Sequence, residues 1–442
     1  PLLPAARPSS PRPPRSLFSR AARKLGYNHR KPTTEETIMP TLSKYRHFNG
    51  RHWETGSVHN VLAYRGVKAP HTGRPLSEAL LMGISGGLLM GYFHFAYEGY
   101  DPHVAILTRN TFEPLDTLLV RLGTVQHLRQ TTNPDKGVKN LIEALENGEP
   151  VIAWPDIFLL PYNGLTLDQG WWGGNPIVVF GYEADRVWIA DRAGVALSLT
   201  PDQLAAARSR VKKDRFKSLT IDPPDLDKLP VAVQQGIWDC LKRYVEAPVA
   251  SAKNNFGFAA FQRWAEALIR PTLKYSWERE FPAGGKMYAG LTSTYERIAL
   301  CPGKAQAERD VYADFLDEAS VILNRAALKD AARLYRASGQ AWHQLGLLLL
   351  PDEIAPFKEA RELLLKRHAL FIERGGESLA ERQSISQRLK AIRADMDKHF
   401  PLTAEQVTAL REGLRDQVLK IHDVEHEAHA ALQAAMLNGK RT

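Results

Sequence analysis

A proline-rich break at residues 222–230 divides the chain into two parts with different hydrophobic patterns. The segment, DPPDLDKLP, holds three prolines and three aspartates in nine residues. Proline fixes φ and removes a backbone donor, so neither a helix nor a central strand continues through it. Short helical and extended patterns mix before the break, whereas apolar residues recur every three or four positions after it. The pattern predicts an α+β domain over 39–221, a linker at 222–230 and an all-helical domain over 231–442.

Short elements are predicted throughout the first part, bounded by glycine, proline and polar residues. Helices are predicted over 76–84, 112–123 and 133–148, and extended segments over 85–97, 103–109, 150–156, 175–182 and 186–191. In the second part, Ser378 with Glu381 and Thr403 with Gln406 have the spacing of capping boxes, which predicts the starts of two long helices.

Positive charge is concentrated ahead of the predicted domains. Residues 1–38 contain eight Lys or Arg and two Glu, which accounts for +6 of the net charge of +9 and leaves +3 for the rest of the chain. In that remainder, basic and acidic side chains are interspersed. A surface that binds a phosphate backbone needs clustered cations on the folded part, so we expect no nucleic-acid partner.

The N-terminal segment, the hydrophobic runs and the cysteines together bear on where in the cell the protein is expected. Residues 1–38 are rich in Pro, Arg and Ser without apolar periodicity, which predicts a disordered extension or upstream sequence outside the folded protein. A targeting peptide is the alternative, because acidic residues are scarce there. No stretch approaches the roughly 18 unbroken apolar residues of a membrane span, so we expect no membrane partner. Two cysteines, Cys240 and Cys301, provide no disulfide framework and favour the cytoplasm.

Two segments share their layout with a known group of enzymes. HWETGSVHNVLAYRG at 52–66 predicts a helix in which Leu, Tyr and Gly follow Trp53 by nine, eleven and thirteen residues. NPIVVFGYEADRVWIAD at 175–191 predicts a strand with Gly six residues and Asp sixteen residues after Asn175. Both segments resemble papain-like cysteine enzymes of the bacteriocin-leader peptidase type, and more closely the butirosin biosynthesis protein H acyltransferases. The second part of the chain is similar to the helical domain of unknown function that follows such domains.

The resemblance implies a papain-like fold with a Cys–His–Asp site. In the family a reactive Cys begins the helix and a His begins the strand, but here these positions hold Trp53 and Asn175, and only Asp191 matches. The family implies acyl or aminoacyl transfer from a carrier-protein thioester to an amine in specialised, antibiotic-type metabolism. Tryptophan cannot attack a thioester, so the sequence predicts an acyltransferase relative, or pseudoenzyme, with altered or lost chemistry.

Neighbouring residues offer alternatives for the missing groups. His52 adjoins the Cys position, Ser57 lies one turn into the helix, and His47 stands where the family places an oxyanion-hole Gln. A Ser57–His pair would rebuild the nucleophile, and His47 would donate to an oxyanion. Alternatively, Trp53 fills the old cleft and Asp191 caps the end of its strand. The residues predicted to line a pocket are Trp53, Gly86, Gly87, Trp171, Trp172 and Asn175; covering the sheet is the alternative for the two adjacent tryptophans.

A histidine row in the last helix raises the question of a metal. His422, His426 and His429 lie at i, i+4 and i+7, a spacing that can begin a zinc or iron site. Acidic residues surround them and no ligand from another segment is evident, so a solvated helix face is the preferred interpretation. Cys240 and Cys301 are predicted to be buried apolar thiols.

These observations define the functional hypotheses. The first is an acyltransferase-like protein with altered chemistry, whose partners would be an acyl-carrier protein or acyl thioester and an amine acceptor. The alternatives are a non-catalytic binding or regulatory protein and, as a lesser option, a peptidase-like protein. No cofactor and no metal are predicted, and the sequence defines no oligomeric state.

Overall fold

The computed structural model describes residues 40–48, 50–165, 173–299 and 306–438, without the side chain of Asn438. The predicted extension at 1–38 lies outside these residues. The first part contains the elements α1 (Trp53–Tyr64), α2 (Glu78–Ile84), β1 (Leu88–Phe95), β2 (His103–Arg109), α3 (Pro114–Arg121), β3 (Gln126–Arg129), α4 (Pro134–Glu146), β4 (Val151–Ala153), β5 (Ile177–Tyr182), β6 (Val187–Ala190), β7 (Leu197–Leu199), α5 (Pro201–Arg210) and β8 (Ser218–Ile221). The second part contains α6 (Leu229–Val245), α7 (Gly257–Ile269), α8 (Trp277–Glu280), α9 (Gly285–Ala299), α10 (Arg309–Ile322), α11 (Leu328–Leu349), α12 (Ala355–Arg374), α13 (Leu379–Asp395) and α14 (Ala404–Asn438).

All strands of the first part pair in antiparallel fashion. A six-stranded sheet has the order β3-β8-β4-β5-β6-β7, and β1 and β2 form a separate hairpin. β5 is apolar and buried along its whole length because it lies inside the sheet under α1. Such a sheet with helices, followed by helices alone, is the α+β architecture that the sequence predicts.

The central helix α1 is buried on nearly every side. Nine of its residues are buried, from Glu54 to Ala63, so it is a core helix rather than an amphipathic surface helix. Close approach at its start depends on two glycines, since a Cβ on Gly56 would stand 2.6 Å from the Cα of Gly50. Beside the helix, the ring of Tyr45 stacks on Phe180 of β5 at 4.5 Å.

The β1–β2 hairpin leaves the main sheet and packs on the helices of the second part. Tyr92 stacks on Trp264 of α7 at 5.4 Å, and its hydroxyl accepts a hydrogen bond from Trp277 Nε1 at 3.0 Å. The backbone N–H of Val104 donates to Ser293 Oγ in α9 at 3.0 Å. The hydrophobic core is therefore continuous across both parts of the chain.

A buried ion pair fixes the last helix. Glu425 of α14 and Arg309 of α10 are fully buried, with 2.7 Å between Glu425 Oε1 and Arg309 Nε. The carboxylate also accepts hydrogen bonds from the side chains of Tyr244, Ser338 and Trp342. Burial raises the pKa of Glu425, but Arg309 and these donors outweigh burial and lower the pKa below its ordinary value.

Most predicted elements of the first part are present, within a few residues of their predicted bounds. β3, β7, α5 and β8 were not predicted. The three strands have only three or four residues each, too few to show a period, whereas the ten residues of α5 follow a capping box of Thr200 and Gln203 that the sequence does display. The segment 222–230 contains a 3₁₀ turn and the start of α6. Its role as a boundary between independent domains stays a prediction. In the part of the chain that the structure describes, no helix combines the length and apolarity of a membrane span.

Candidate functional site

The site around which the first part is organised is the N-terminus of α1. His52 is its N-cap, with extended backbone and no side-chain capping bond. Instead, the carboxylate of Glu78, the first residue of α2, accepts hydrogen bonds from the backbone N–H of His52 and the hydroxyl of Thr55, both at 2.8 Å. The start of α2 therefore supplies the acceptor that the start of α1 lacks.

Trp53, the residue in the predicted Cys position, lies beneath an arginine. The guanidinium carbon of Arg192 stands 4.0 Å from the centre of the Trp53 ring. The Arg192 Nε in turn donates to Asp191 Oδ1 at 3.2 Å. Cation–π contact and ion pair thus connect the start of α1 with the end of β6, as the matched register of the two segments predicts.

The carboxylate of Asp191 accepts hydrogen bonds that hold the turn after β6. Its Oδ1 also accepts from the backbone N–H of Arg192 at 2.7 Å, and its Oδ2 accepts from the hydroxyl of Tyr162 at 3.3 Å. Burial, together with the Asp191 charge, raises the pKa of Tyr162 well above its ordinary value. These contacts are what the strand-end alternative predicts for Asp191.

Ser57 of α1 contacts the segment that begins at Asn175. Asn175 is buried, and its backbone N–H donates to Pro155 O at 3.3 Å. Ser57 Oγ donates to Pro176 O, also at 3.3 Å. Among the described residues, Ser57 has no imidazole partner, so the pair needed for a rebuilt serine nucleophile is not assembled here.

His52 is bound by a residue from the second part of the chain. Its Nε2 lies 2.7 Å from Glu308 Oε2, and both side chains are 1% exposed. Glu308 Oε1 lies 3.7 Å from Arg109 Nε, and Arg109 Nη2 lies 3.2 Å from Glu54 Oε2. Burial opposes the charge on Glu308, but His52 and Arg109 outweigh it and lower the pKa of Glu308 to about 2.

Helix α12 covers the turn after β6. The Arg192 guanidinium lies 5.1 Å from the ring of Phe371, and Gly194 N–H donates to Ile372 O at 2.7 Å. Sequence reasoning did not find Glu308 or Phe371 as site residues. Both lie more than 100 positions beyond Arg192 in the helical part, where no motif marked them.

Comparison with known proteins identifies the region just described. Residues 52–192 match the family model of butirosin biosynthesis protein H, N-terminal. These residues form a butirosin biosynthesis protein H N-terminal-like domain. The match begins at His52, which precedes Trp53 in the sequence, and ends at Arg192, which lies over the Trp53 ring. No curated protein matches the chain.

The other residues predicted for the site of this butirosin biosynthesis protein H N-terminal-like domain are His47, which the structure describes, and Trp171 and Trp172, which it does not. His47 lies beside Tyr45, with ring centroids 6.1 Å apart, and burial followed by the charge of His59 lowers its pKa. Its oxyanion role stays a prediction. Trp171 and Trp172 lie outside the described residues.

The pocket-lining prediction for Gly86 and Gly87 needs correction. A Cβ on Gly86 would stand 2.2 Å from Arg243 Nη1, and one on Gly87 would stand 2.5 Å from the ring of Tyr312. Both glycines have positive φ, 112° and 64°, in a turn packed under α6 and α10. They allow close approach of the helical part, where side chains leave no room for a ligand.

A surface pocket of about 150 Å³ lies elsewhere, where α4 meets β3, β4 and β8. Its lining residues include His127, Arg129, Asn140 and Thr220. It contains none of the predicted site residues, and we assign it no role in acyl chemistry.

The histidine row of α14 only partly fits the solvated face expected for it. His426 is exposed, whereas His429 is buried and its Nε2 lies 3.0 Å from Leu241 O. Phe258 packs against all three histidines, with ring centroids 5.1–5.5 Å apart. Within the described residues, no group of three or more potential ligands is arranged to hold a metal ion.

The cysteine predictions can be checked at one position. Cys240 is buried, as predicted, and burial raises the pKa of its thiol to about 11. Cys301 lies outside the described residues.

Proposed function

We propose that this chain binds an acyl or aminoacyl thioester, of the kind presented by carrier proteins in specialised metabolism, without forming a covalent acyl-enzyme. The family match supports a relation to acyltransferase-like biosynthetic proteins. The observation that carries the proposal is Trp53 at the start of α1, stacked under Arg192 where a cysteine nucleophile would need access to its substrate. An indole ring offers neither a nucleophile nor a proton acceptor at this place.

The residues around Trp53 support binding rather than covalent catalysis. Asn175 provides no base, and the carboxylate of Asp191 is occupied by Arg192 and Tyr162. Cys240 is buried, and the raised pKa of its thiol keeps it protonated and unreactive near neutral pH. An acyl group bound here would meet aromatic and cationic surfaces and no activated thiol among the described residues.

The test follows a simple acyl thioester with the wild-type chain by thiol release, intact-protein mass and calorimetric binding. We expect saturable binding, no acyl-enzyme mass and thiol release at the rate of buffer alone. Ser57→Ala is expected to change none of these, like the control Ser209→Ala, a half-buried residue whose hydroxyl donates to Ala206 O in its own helix. Turnover in wild type that Ser57→Ala abolishes and Ser209→Ala preserves would overturn the proposal in favour of a rebuilt serine nucleophile.

A further inference from the structure

Two arginines from separate elements lie over one aromatic ring beside the start of α1, and a third arginine lies one helical turn from that ring. The guanidinium carbons of Arg192 and Arg382 each lie 5.1 Å from the centre of the Phe371 ring. Arg192 belongs to the turn after β6, Arg382 to α13 and Phe371 to α12. Arg367 and His368 precede Phe371 by four and three residues in α12. Residues at these spacings lie on the same side of a helix, so both side chains are on the side of α12 that carries Phe371.

The positive charge of this cluster is incompletely balanced by carboxylates. Arg192 pairs with Asp191, and Arg367 pairs with Glu296. Arg382 is 6% exposed and donates to Tyr162 O, Gly375 O, Asn163 O and Ser378 Oγ. Within the described residues it has no carboxylate partner. A buried guanidinium without a counter-charge is costly, so the cluster attracts anions.

A neighbouring imidazole responds to the same field. Burial, and then the charges of Arg192, Arg367 and Arg51, lower the pKa of His368 to about 4. The histidine is therefore neutral near pH 7 and can donate one hydrogen bond without adding charge. An anion placed among these groups would stabilise the protonated imidazole and raise that pKa.

We propose that Arg192, Arg367, Arg382 and His368 form a binding site for a phosphate group, shared between the family-matched domain and the helical part. The three arginines belong to three separate elements, an arrangement that suits a tetrahedral anion with three or more oxygens better than a planar carboxylate with two. The site is reachable from solvent, because the Arg192 and Arg367 side chains are 23% and 29% exposed. The inference goes beyond the proposed thioester binding and does not depend on it.

The experiment titrates the full chain with inorganic phosphate, measuring affinity by calorimetry and the His368 ring by NMR. His368→Gln assigns the resonance. We expect saturable binding and a rise in the His368 pKa from its low value, because the bound anion offsets the arginine charges. Arg367→Gln, which removes a partly exposed guanidinium, should weaken phosphate binding about 10-fold or more. Arg192→Gln should do the same.

The matched control is Arg388→Gln, which removes an exposed arginine that pairs with Glu359 across the same two helices. It should leave phosphate affinity within about twofold, because exposed charges are screened. Equal weakening by Arg367→Gln and Arg388→Gln would overturn the proposal, as would acetate binding as tightly as phosphate or a His368 pKa unmoved at saturating phosphate. Comparison of 4′-phosphopantetheine with inorganic phosphate then distinguishes the source. Tighter binding of 4′-phosphopantetheine supports a carrier's arm, and equal binding of the two supports a free phosphate. Pantetheine, which lacks the phosphate, should bind more weakly than 4′-phosphopantetheine, and equal binding of pantetheine would overturn the proposal.

Discussion

At the residue scale, Glu308 connects the two parts of the chain at a place where a charge is expensive to bury. It has a left-handed backbone, with φ of 67°, and no exposed surface. His52 and Arg109 offset the desolvation of its carboxylate and lower its pKa from the ordinary 4.5 to about 2. Its charge therefore stabilises the fold fully above about pH 5, and this contribution is lost as pH falls through 4.5 towards 2.

Glu308→Gln should consequently lower the free energy of unfolding at pH 7 by about 3 kcal/mol, because it removes the buried carboxylate that contacts His52 and Arg109. The loss relative to wild type should shrink as pH falls from 5 to 3. Glu425, whose pKa is also lowered, lies in a separate ion pair with Arg309, so its contribution to acid unfolding cancels in the difference. Denaturant unfolding at a series of pH values measures this difference.

The control for that measurement is Glu359→Gln at an exposed pair with Arg388, for which a change below about 1 kcal/mol is expected. A Glu308→Gln variant as stable as Glu359→Gln at pH 7 would contradict the account of the buried pair.

The sequence predicted which of its two motif segments approach each other, but not which residues of the helical part bind them. The spacing of 52–66 and 175–191 predicted that Trp53, Asn175 and Asp191 converge. Arg192 lies over Trp53 and binds Asp191, while a contact of Asn175 with Trp53 stays a prediction. Glu308 lies too far along the chain for local pattern to connect it with His52. A contact of that kind depends on how the helices pack, which periodicity does not encode.

At the element scale, the crossing of α2 and α6 depends on backbone contact. A Cβ on Gly236 of α6 would stand 2.2 Å from the carbonyl oxygen of Gly83 in α2. A backbone oxygen cannot move aside as a flexible side chain can, so the two helices would have to separate. Gly83 is also closed off by Phe315 of α10, whose ring would lie 2.2 Å from a Cβ there.

Gly236→Ala should therefore destabilise the protein by about 1–3 kcal/mol through overpacking. This cost exceeds the gain of up to about 1 kcal/mol that alanine brings to a helix interior. The matched control is Gly413→Ala in α14, where a Cβ meets nothing within 4 Å and a gain of about 0.5–1 kcal/mol is expected. Thermal unfolding of both variants measures the contrast, and a stabilised Gly236→Ala variant would show that the crossing tolerates a methyl group.

A capping box was predicted correctly where no tertiary hydrogen bond competed for its side chains. Thr403 and Gln406 form the reciprocal bonds of a capping box, as predicted. Ser378 does not: its hydroxyl donates to Gly375 O and accepts from Arg382 Nε, so the capping-box prediction there is wrong. The tertiary contact to Arg382 outweighed the local motif.

At the scale of the whole molecule, the helical part completes the site instead of standing apart from it. Glu308 reaches His52, and Phe371 packs against Arg192, so both sides of the α1 N-terminus are held by residues beyond the family-matched domain. The α+β class and the helical character of the second part followed from periodicity. The way the second part packs around α1 could not be predicted, because it rests on contacts between residues more than 100 positions apart.

We propose that Trp53 and Asn175 occupy the positions of a cysteine nucleophile and its base on an acyltransferase-like scaffold. The most direct test is the rate of thioester cleavage by Trp53→Cys, Asn175→His and the double variant, measured with wild type under one set of conditions. A cysteine at 53 would stand at a helix N-terminus, which lowers the pKa of its thiol. A histidine at 175 would supply the base. We expect wild type and Asn175→His to be inert, Trp53→Cys to react slowly, and the double variant to exceed Trp53→Cys by roughly 10²–10⁴-fold. A double variant no faster than Trp53→Cys would contradict the assignment of these two positions.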